Sequence, residues 1–212
     1  MILQNFAVIE GGDGSGTSTQ LTLLENNLKN TSKFEFFTTG EPTNGPLGLL
    51  IRHILTGELS VQKETLARLF AADRCEHLYA PGGIIERCTK GELVISDRYT
   101  PSSLVYQGLE CGREIPQALN ASFPHPELLI YLDIDGYSAM KRISKRSEKA
   151  EIYDHAEFQD RVRNVYLELL PEYQKAGVRI VHLDGQKPPE EIAADILSEV
   201  QKMPIMKKAL IQ

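Results

Sequence analysis

The sequence contains no tryptophan and only three cysteines among its 212 residues. Cys75, Cys88 and Cys111 are odd in number and show no C-x-x-C spacing. This pattern argues against a disulfide framework and against a cysteine zinc motif, so we expect reduced thiols. The five histidines are scattered without metal-ligand spacing, which argues against a histidine-based metal site.

Long apolar runs and an excess of positive charge are also missing. No run of about 18 apolar residues occurs, which argues against a membrane span. The N-terminus lacks a basic segment followed by an apolar core, so a signal peptide is not expected and the predicted location is the cytoplasm. The formal net charge of −6 argues against a nucleic-acid binder, because such proteins need a basic face.

The remaining composition is that of an ordinary globular protein, with 42% hydrophobic and 25% charged residues. A chain of 212 residues is long enough to bury a substantial core. No internal repeat, low-complexity segment or domain boundary interrupts the pattern. We therefore expect residues 1–212 to form a single domain.

Strand-like apolar runs alternate with helical patterns along the chain. The predicted strands cover residues 2–9, 34–38, 92–96, 128–132 and 178–183. The predicted helices cover residues 18–28, 47–55, 62–78, 101–107, 114–121, 136–143, 156–176 and 189–200. Residues 84–88 could form another helix or a kinked continuation, and the tail from residue 203 is expected to be loosely held. The alternation indicates an α/β fold with a five-stranded, mainly parallel sheet flanked by helices.

A glycine-rich turn, EGGDGSGTSTQ at residues 10–20, separates the first strand from the first helix. Strand, glycine-rich turn and helix in this order are typical of a phosphate-binding loop. Backbone N–H groups of such a turn surround an anion, and the helix directs its positive end at the same place. Gly11, Gly16 and Ser18 have the usual spacing, but Thr17 stands where a lysine normally reaches the outer phosphates. We call residues 11–18 the phosphate loop.

Charged residues follow the second and third predicted strands. Asp97 and Arg98 come directly after the third strand, and Glu41-Pro42 comes shortly after the second. Ligands of parallel α/β sheets bind beyond the carboxyl ends of the strands. Asp97 could orient a magnesium ion and Arg98 could bind a phosphate, or the two could form a structural pair.

Two other groups of side chains could serve a nucleotide. Phe70 and Arg74 lie four residues apart on one helical face, where a ring and a guanidinium could stack on a base and hydrogen-bond it. The alternative is a core aromatic ring beside a solvated arginine. A basic cluster could be a solvated surface or a lid over transferring phosphates. This cluster comprises Arg142, Lys145, Arg146 and Lys149.

With these motifs in this order, the sequence resembles the thymidylate kinase family from Phe6 to about Val200. The phosphate loop alone is moderately specific, whereas the loop, the Phe–Arg helix and the Asp-Arg-Tyr segment together are highly specific. The matching segments are residues 10–11, 13–16, 18–20, 41–42, 51–52, 69–74, 97–99, 102–103, 106–107, 126–127, 131–133, 158, 161–163 and 166.

The resemblance implies transfer of the γ-phosphoryl group of ATP to dTMP for dTTP synthesis, with Mg²⁺, usually in a homodimer. It implies a three-layer P-loop kinase fold and a nucleoside monophosphate kinase domain whose lid covers about residues 142–155. The implied catalytic residues are Asp13, Arg98, Arg142 and Arg146. The implied ATP-binding residues are Gly11, Gly14, Ser15, Gly16, Thr17, Ser18 and Thr19, and the implied metal-binding residues are Ser18 and Asp97.

The resemblance also implies a dTMP site in which Phe70 stacks on thymine and Arg74 with Ser103 hydrogen-bonds the base. In it, Tyr106 packs against the sugar and Arg98 contacts the acceptor phosphate. The implied dTMP-binding residues are Asp13, Glu41, Pro42, Arg52, Phe70, Arg74, Arg98, Ser103, Tyr106 and Gln107.

The sequence departs from the family pattern at two positions. Thr17 replaces the loop lysine, and Gly40 stands where the family usually has an arginine before Glu41-Pro42. Losing a charged hydrogen bond costs roughly 1.5–3 kcal/mol. The cations that could compensate are the basic cluster, Arg52 and Arg98. The alternatives are therefore a kinase for another nucleotide or deoxynucleoside, and an inactive nucleotide-binding homologue.

Overall fold

The computed structural model describes residues 1–31, 35–144 and 156–209. Its five strands form one sheet in the order β2-β3-β1-β4-β5, and every pairing between neighbours is parallel. The strands are β1 (Ile2–Gly11), β2 (Phe36–Gly40), β3 (Leu93–Asp97), β4 (His125–Asp133) and β5 (Arg179–Asp184). The predicted five-stranded parallel sheet is confirmed.

Helices connect the strands and cover both faces of the sheet. In the described ranges they are α1 (Thr17–Thr31), α2 (Pro46–Leu55), α3 (Lys63–Tyr79), α4 (Ile84–Thr89), α5 (Thr100–Cys111), α6 (Glu114–Asn120), α7 (Gly136–Ile143), α8 (Ala156–Lys175), α9 (Pro189–Gln201) and α10 (Pro204–Ala209). Among the described residues, no helix has both the length and the apolar character that a membrane span requires.

The core lies on the two faces of the central strand β1. Ala7 and Ile9 pack with side chains of α1, α9 and α10 on one face. Phe6 and Val8 pack with side chains of α3 and α4 on the other face. Because both faces are covered, the central strands are nearly continuous apolar runs instead of alternating ones. The structure thus has the three layers that the family resemblance implied.

The structure settles two points that the sequence left open or predicted differently: the break after α3 and the conformation of the C-terminal tail. Helix α3 ends at Tyr79, and α4 is a separate helix after the turn at residues 80–83. The expectation of a loosely held tail is wrong for residues 203–207, because Met203 and Met206 are buried in the same core as α1 and α9. Their apolar surface is removed from water, which stabilises the docked conformation of α10.

The strand order brings the chemically important segments to one edge of the sheet. β1 lies between β3 and β4, so the phosphate loop follows the central strand. Asp97 at the end of β3 is in register with Ile9 of β1 and with Gly40 of β2. The segments after β1, β2 and β3 therefore meet beyond the carboxyl ends of three adjacent strands.

Candidate active site

A cavity of about 700 Å³ lies at this edge of the sheet. It brings together side chains from the phosphate loop, from β2 and β3, and from helices α2, α3 and α5. Predicted residues that line it are Asp13, Thr17, Ser18, Glu41, Pro42, Arg52, Phe70, Arg74, Asp97, Arg98, Ser103, Tyr106 and Gln107. Predicted residues that do not line it are Gly11, Gly14, Ser15, Gly16, Thr19 and Arg142. The remaining predicted residue, Arg146, lies outside the described residues.

The phosphate loop depends on glycine where it approaches the neighbouring helix α7. Gly14 has a φ of 79°, and a Cβ atom there would lie 2.6 Å from the carbonyl oxygen of Ala139. A larger residue would therefore be strained and would push α7 away. Helix α1 begins at Thr17, within the last two residues of the loop, and has no acidic residue in its first turn. Its positive end thus stays available to an anion.

The position of the usual lysine is occupied by a hydroxyl group. Thr17 is buried and lines the cavity. Arg142 lies near the loop, where its Nη1 donates to the carbonyl oxygens of Gly14 (3.4 Å) and Ser15 (3.3 Å). Its Nη2 donates to Gly185 O at 2.8 Å. Arg142 therefore binds the backbone of the loop. The rest of the basic cluster, Lys145, Arg146 and Lys149, lies outside the described residues.

Arg98 forms an ion pair with Asp13 across the mouth of the loop. Its Nη2 donates to Asp13 Oδ1 at 2.8 Å, and its Nη1 donates to Gly11 O. The Asp97–Arg98 pair considered from the sequence is present but long, with 3.9 Å between Arg98 Nε and Asp97 Oδ1, and the shorter ion pair of Arg98 is the one with Asp13. The guanidinium also lies 5.6 Å from the centre of the Tyr106 ring. The Arg98 guanidinium is thus bound to the phosphate loop while it lines the cavity.

Gln159 is a further residue of this site, and no motif in the sequence identified it. Its Oε1 accepts the backbone N–H of Asp13 at 3.0 Å, and its Nε2 donates to Asp13 Oδ2 at 3.3 Å. The same N–H of Asp13 also donates to the hydroxyl of Tyr106 at 3.0 Å. Gln159 lies on α8, 146 residues from Asp13, so only the folded chain brings the two together.

Ser18, at the end of the phosphate loop, and Asp97 form a hydrogen-bonded pair of oxygen-bearing side chains. Ser18 Oγ donates to Asp97 Oδ2 at 2.5 Å. The other carboxylate oxygen, Oδ1, is buried and accepts no hydrogen bond from the described residues. Those residues contain no cluster of three or more His, Cys, Asp or Glu side chains suited to a metal. The pair fits a Mg²⁺ ion, which commonly takes one or two protein oxygens and completes its shell with phosphates and water.

Arg74 is fixed in the wall of the cavity and is not a solvated arginine. It is 1% exposed, and its Nη2 lies 2.6 Å from Glu41 Oε2. It donates to Asn120 Oδ1 at 2.5 Å and to Ser103 Oγ at 3.0 Å. A buried arginine needs such partners, because an unpaired buried charge is costly. Glu41 therefore binds the Arg74 guanidinium and holds it in the wall of the cavity.

Apart from Glu41 Oε2, whose partner is the Arg74 ion pair, two further buried polar atoms of this wall have no hydrogen-bond partner among the described residues. They are Nε of Arg74, a donor, and Oε1 of Gln107, an acceptor. Phe70 lines the same cavity and packs against the core that includes α5 and α8. Buried polar groups are normally paired, so this donor and this acceptor are candidate contacts for a polar ligand in the cavity that Phe70 lines.

A model of a protein family described as thymidylate kinase matches residues 9–196 of the chain. The chain belongs to the thymidylate kinase family. Residues 9–196 include the phosphate loop, both charged strand ends and the whole of α8. The resemblance predicted from the motifs is therefore confirmed.

Three relatives in the thymidylate kinase family are similar over 84–97% of their own length. A protein of Treponema pallidum (strain Nichols) is 36% identical over 203 residues, 95% of this chain and 97% of that protein. One of Pyrobaculum aerophilum is 39% identical over 199 residues, 93% of this chain and 97% of that protein. One of Aeropyrum pernix is 39% identical over 178 residues, 84% of each chain. The names are "Putative thymidylate kinase" for the first and third of these proteins and "Probable thymidylate kinase" for the second.

Within this thymidylate kinase fold, Gly40 allows β2 to approach the end of β3. A Cβ atom at Gly40 would lie 3.1 Å from Asp97 O and 3.3 Å from Asp97 Cβ. Arg52, the cation on the other side of the cavity, donates through Nη2 to Pro42 O. Thr17 and Gly40, the two positions at which the sequence departs from the expected pattern, line the cavity without a charged side chain.

Proposed function

We propose that the protein transfers the γ-phosphoryl group of ATP to dTMP, giving dTDP and ADP. The observation that carries this proposal is a single cavity lined by residues of the phosphate loop, the Arg98–Asp13 pair, Phe70, and two residues with an unpaired donor and an unpaired acceptor. Phosphorylation of a nucleoside monophosphate needs three elements: a site for the donor phosphates, a cation for the phosphate of the monophosphate, and a site for its base. Family membership and the names of the relatives point to the same reaction.

The polar atoms of the base site favour thymine over cytosine. Thymine presents an O4 acceptor and an N3–H donor, whereas cytosine presents an amino donor and an unprotonated N3 at the same positions. Arg74 Nε can donate to O4, and Gln107 Oε1 can accept from N3–H. Cytosine would leave both buried groups unpaired, at about 1–3 kcal/mol each. Phe70 would stack on either ring.

Phosphoryl transfer in this site would proceed directly and in line, without a covalent enzyme intermediate. The loop amides and the N-terminus of α1 would bind the donor phosphates, and Arg98 would bind the acceptor phosphate. Ser18 and Asp97 would hold Mg²⁺, which neutralises phosphate charge when it is bound. The protein's part is then to position both phosphates and to stabilise their charge.

The proposed magnesium site predicts a shift in metal requirement. Asp97→Asn should raise the Mg²⁺ concentration for half-maximal activity about 10-fold, because a neutral amide oxygen binds the ion less strongly. A Mg²⁺ titration at saturating ATP and dTMP measures the shift. Asp184→Asn is the matched control, since Asp184 ends β5 but does not line the cavity. An unchanged titration curve for Asp97→Asn would remove Asp97 from the metal site.

The proposed activity is tested with ATP, Mg²⁺ and a panel of dTMP, dUMP, dCMP and thymidine in a coupled assay. The expected kcat/KM for dTMP exceeds that for dCMP about 100-fold or more. Gln107→Leu should narrow this ratio about 10-fold, because it removes the acceptor for N3–H. Gln117→Leu, an exposed position on α6, should leave it unchanged. Preference for dCMP or thymidine would support another kinase, and no turnover would support an inactive homologue.

Three further properties are proposed on the family resemblance. They are a homodimer, a lid over about residues 142–155, and a single domain over residues 1–212. Sedimentation analysis of the purified protein tests the first, since a monomer at assay concentration would contradict it.

A further inference from the structure

The buried carboxylate of Glu10 has no part in the contacts described above. Glu10 lies near the end of β1 and is 0% exposed. Its Oε1 accepts the backbone N–H of Tyr99 at 2.8 Å. Its Oε2 accepts the hydroxyls of Ser102 at 2.7 Å and Tyr166 at 2.8 Å. Among the described residues it has three hydrogen bonds and no ion pair within 4.0 Å, so it binds only neutral donors.

One of these bonds fixes an unusual backbone turn at Arg98. Arg98 has a φ of 73°, in the left-handed region that bulky residues seldom adopt. Its N–H donates to Ile9 O at 3.0 Å, and its carbonyl oxygen accepts from Ser96 Oγ at 2.8 Å. The next N–H, that of Tyr99, donates to Glu10. Such a conformation persists only where surrounding contacts enforce it, and Glu10 supplies one of the three contacts here.

The other two bonds reach the side chain of the same arginine. The hydroxyls of Ser102 and Tyr166 each lie 3.5 Å from Arg98 Nη1, and they lie 2.9 Å from each other. A hydroxyl group has a single proton. When that proton is donated to Glu10, the hydroxyl presents lone pairs in other directions, where the guanidinium N–H groups can use them. Glu10 therefore orients both groups that flank the Arg98 guanidinium.

The electrostatic surroundings agree with this geometry. Burial raises the pKa of Glu10 to about 7, while the charge of Arg98 and the hydrogen bonds from Ser102, Tyr166 and the Tyr99 N–H act in the opposite direction. Arg98 is the cation that acts on the Glu10 carboxylate in the described structure. The Glu10 carboxyl group thus lies in a dry position, where its hydrogen-bond partners are neutral and the charge of Arg98 acts on it from beyond the hydroxyls of Ser102 and Tyr166.

We propose that Glu10 is a positioning residue for phosphoryl transfer, holding Arg98 in its left-handed turn and directing the guanidinium toward Asp13 and the acceptor phosphate. This inference rests on the proposed function, in which Arg98 binds the phosphate of dTMP. Glu10 itself does not line the cavity and would not touch the substrate. Its effect should therefore appear in the recognition of the phosphate and not in that of the base.

The test compares the binding of dTMP and thymidine, measured by calorimetry, in the wild-type protein and in Glu10→Gln. Glutamine has nearly the same volume, but its amino group must donate toward Ser102 and Tyr166 and so reverses both hydrogen bonds. The matched control is Glu127→Gln. Glu127 accepts the N–H of Asn5, a non-glycine residue with a φ of 65° near the opposite end of β1.

Glu10→Gln should weaken dTMP binding about 10-fold and leave thymidine binding unchanged, because thymidine has no phosphate to report on Arg98. Glu127→Gln should change neither affinity. In an Arg98→Ala background, Glu10→Gln should have no further effect on dTMP binding, since its route of action is gone. Tyr166→Phe, which removes one hydroxyl, should weaken dTMP binding about 3-fold without affecting thymidine.

The affinities for dTMP and thymidine separate the positioning role of Glu10 from the proposed function. An unchanged ratio of dTMP to thymidine affinity in Glu10→Gln would overturn the positioning role, and so would an equal loss of both affinities. If Glu10→Gln does not fold, an unchanged dTMP affinity in Tyr166→Phe would overturn it. If the wild-type protein itself shows no preference for dTMP over thymidine, the proposed function fails, and this result is distinct from the others.

Discussion

Replacing Arg98 by alanine is expected to lower kcat/KM for dTMP about 10³- to 10⁵-fold, the range seen for arginines that stabilise a transferring phosphoryl group. Arg98 stands between the phosphate loop and the base site, where it binds Asp13 and Gly11. Its loss removes positive charge from the space between donor and acceptor. It also leaves the Asp13 carboxylate without its cation, so a phosphate would meet uncompensated negative charge.

A coupled assay with ATP, Mg²⁺ and dTMP measures this loss, and two other variants define its cause. Arg98→Lys keeps the charge but not the bidentate geometry, so its kcat/KM should fall by an intermediate amount. Arg113→Ala removes an exposed arginine that pairs with Glu168 on the surface, so its activity should not change. Thymidine binding verifies that each variant is folded. Activity of Arg98→Ala within about 10-fold of wild type would show that Arg98 does not act on the phosphates.

Thr17→Lys is expected to raise kcat/KM for ATP about 10- to 100-fold, which corresponds to one charged hydrogen bond. Thr17 lines the cavity at the first turn of α1, where a lysine side chain would reach toward bound phosphates. The described cations nearby are already bound to protein acceptors. Arg98 binds Asp13, Arg142 binds loop carbonyl oxygens, and Arg52 binds Pro42 O. The loop therefore has backbone donors but little side-chain charge directed at the outer phosphates.

The control for Thr17→Lys is Thr22→Lys, the same substitution at an exposed position of α1. It adds the same charge to the protein but not to the cavity, so kcat/KM should stay at the wild-type value. Single-turnover rates at saturating ATP separate faster chemistry from tighter binding. A wild-type rate for Thr17→Lys would mean that other groups already supply this charge, and Arg146→Ala would then be the next variant to measure.

Much of the fold followed from local patterns in the sequence. Apolar runs that are buried on both faces predicted parallel strands, and the intervening helical periodicity predicted the layers that cover them. The motifs after β1, β2 and β3 predicted a site at the carboxyl edge, because parallel strands end on the same side. The ends of the helices and strands differ by a few residues between prediction and structure. The largest error was the tail, which was expected to be loosely held but buries Met203 and Met206.

The sequence was less informative about the partners of each side chain. Arg74 could be assigned to a base site or to solvent from its helical spacing, and only its burial against Glu41 decided between them. Asp97 and Arg98 are neighbours in the chain, yet the shorter ion pair of Arg98 is with Asp13, 85 residues away. No local pattern connects Gln159 or Glu10 with the residues that they bind.

The sequence by itself determined which residue types stand at the carboxyl edge of the sheet, including the missing loop lysine, because strand and helix periodicities are local properties. The tertiary structure alone decided which side chains are paired, which buried atoms stay without a partner, and how Arg98 is oriented. These features depend on contacts between segments about 29 to 156 residues apart. Such contacts form only when the layers pack, since packing excludes water and makes each unpaired polar atom costly.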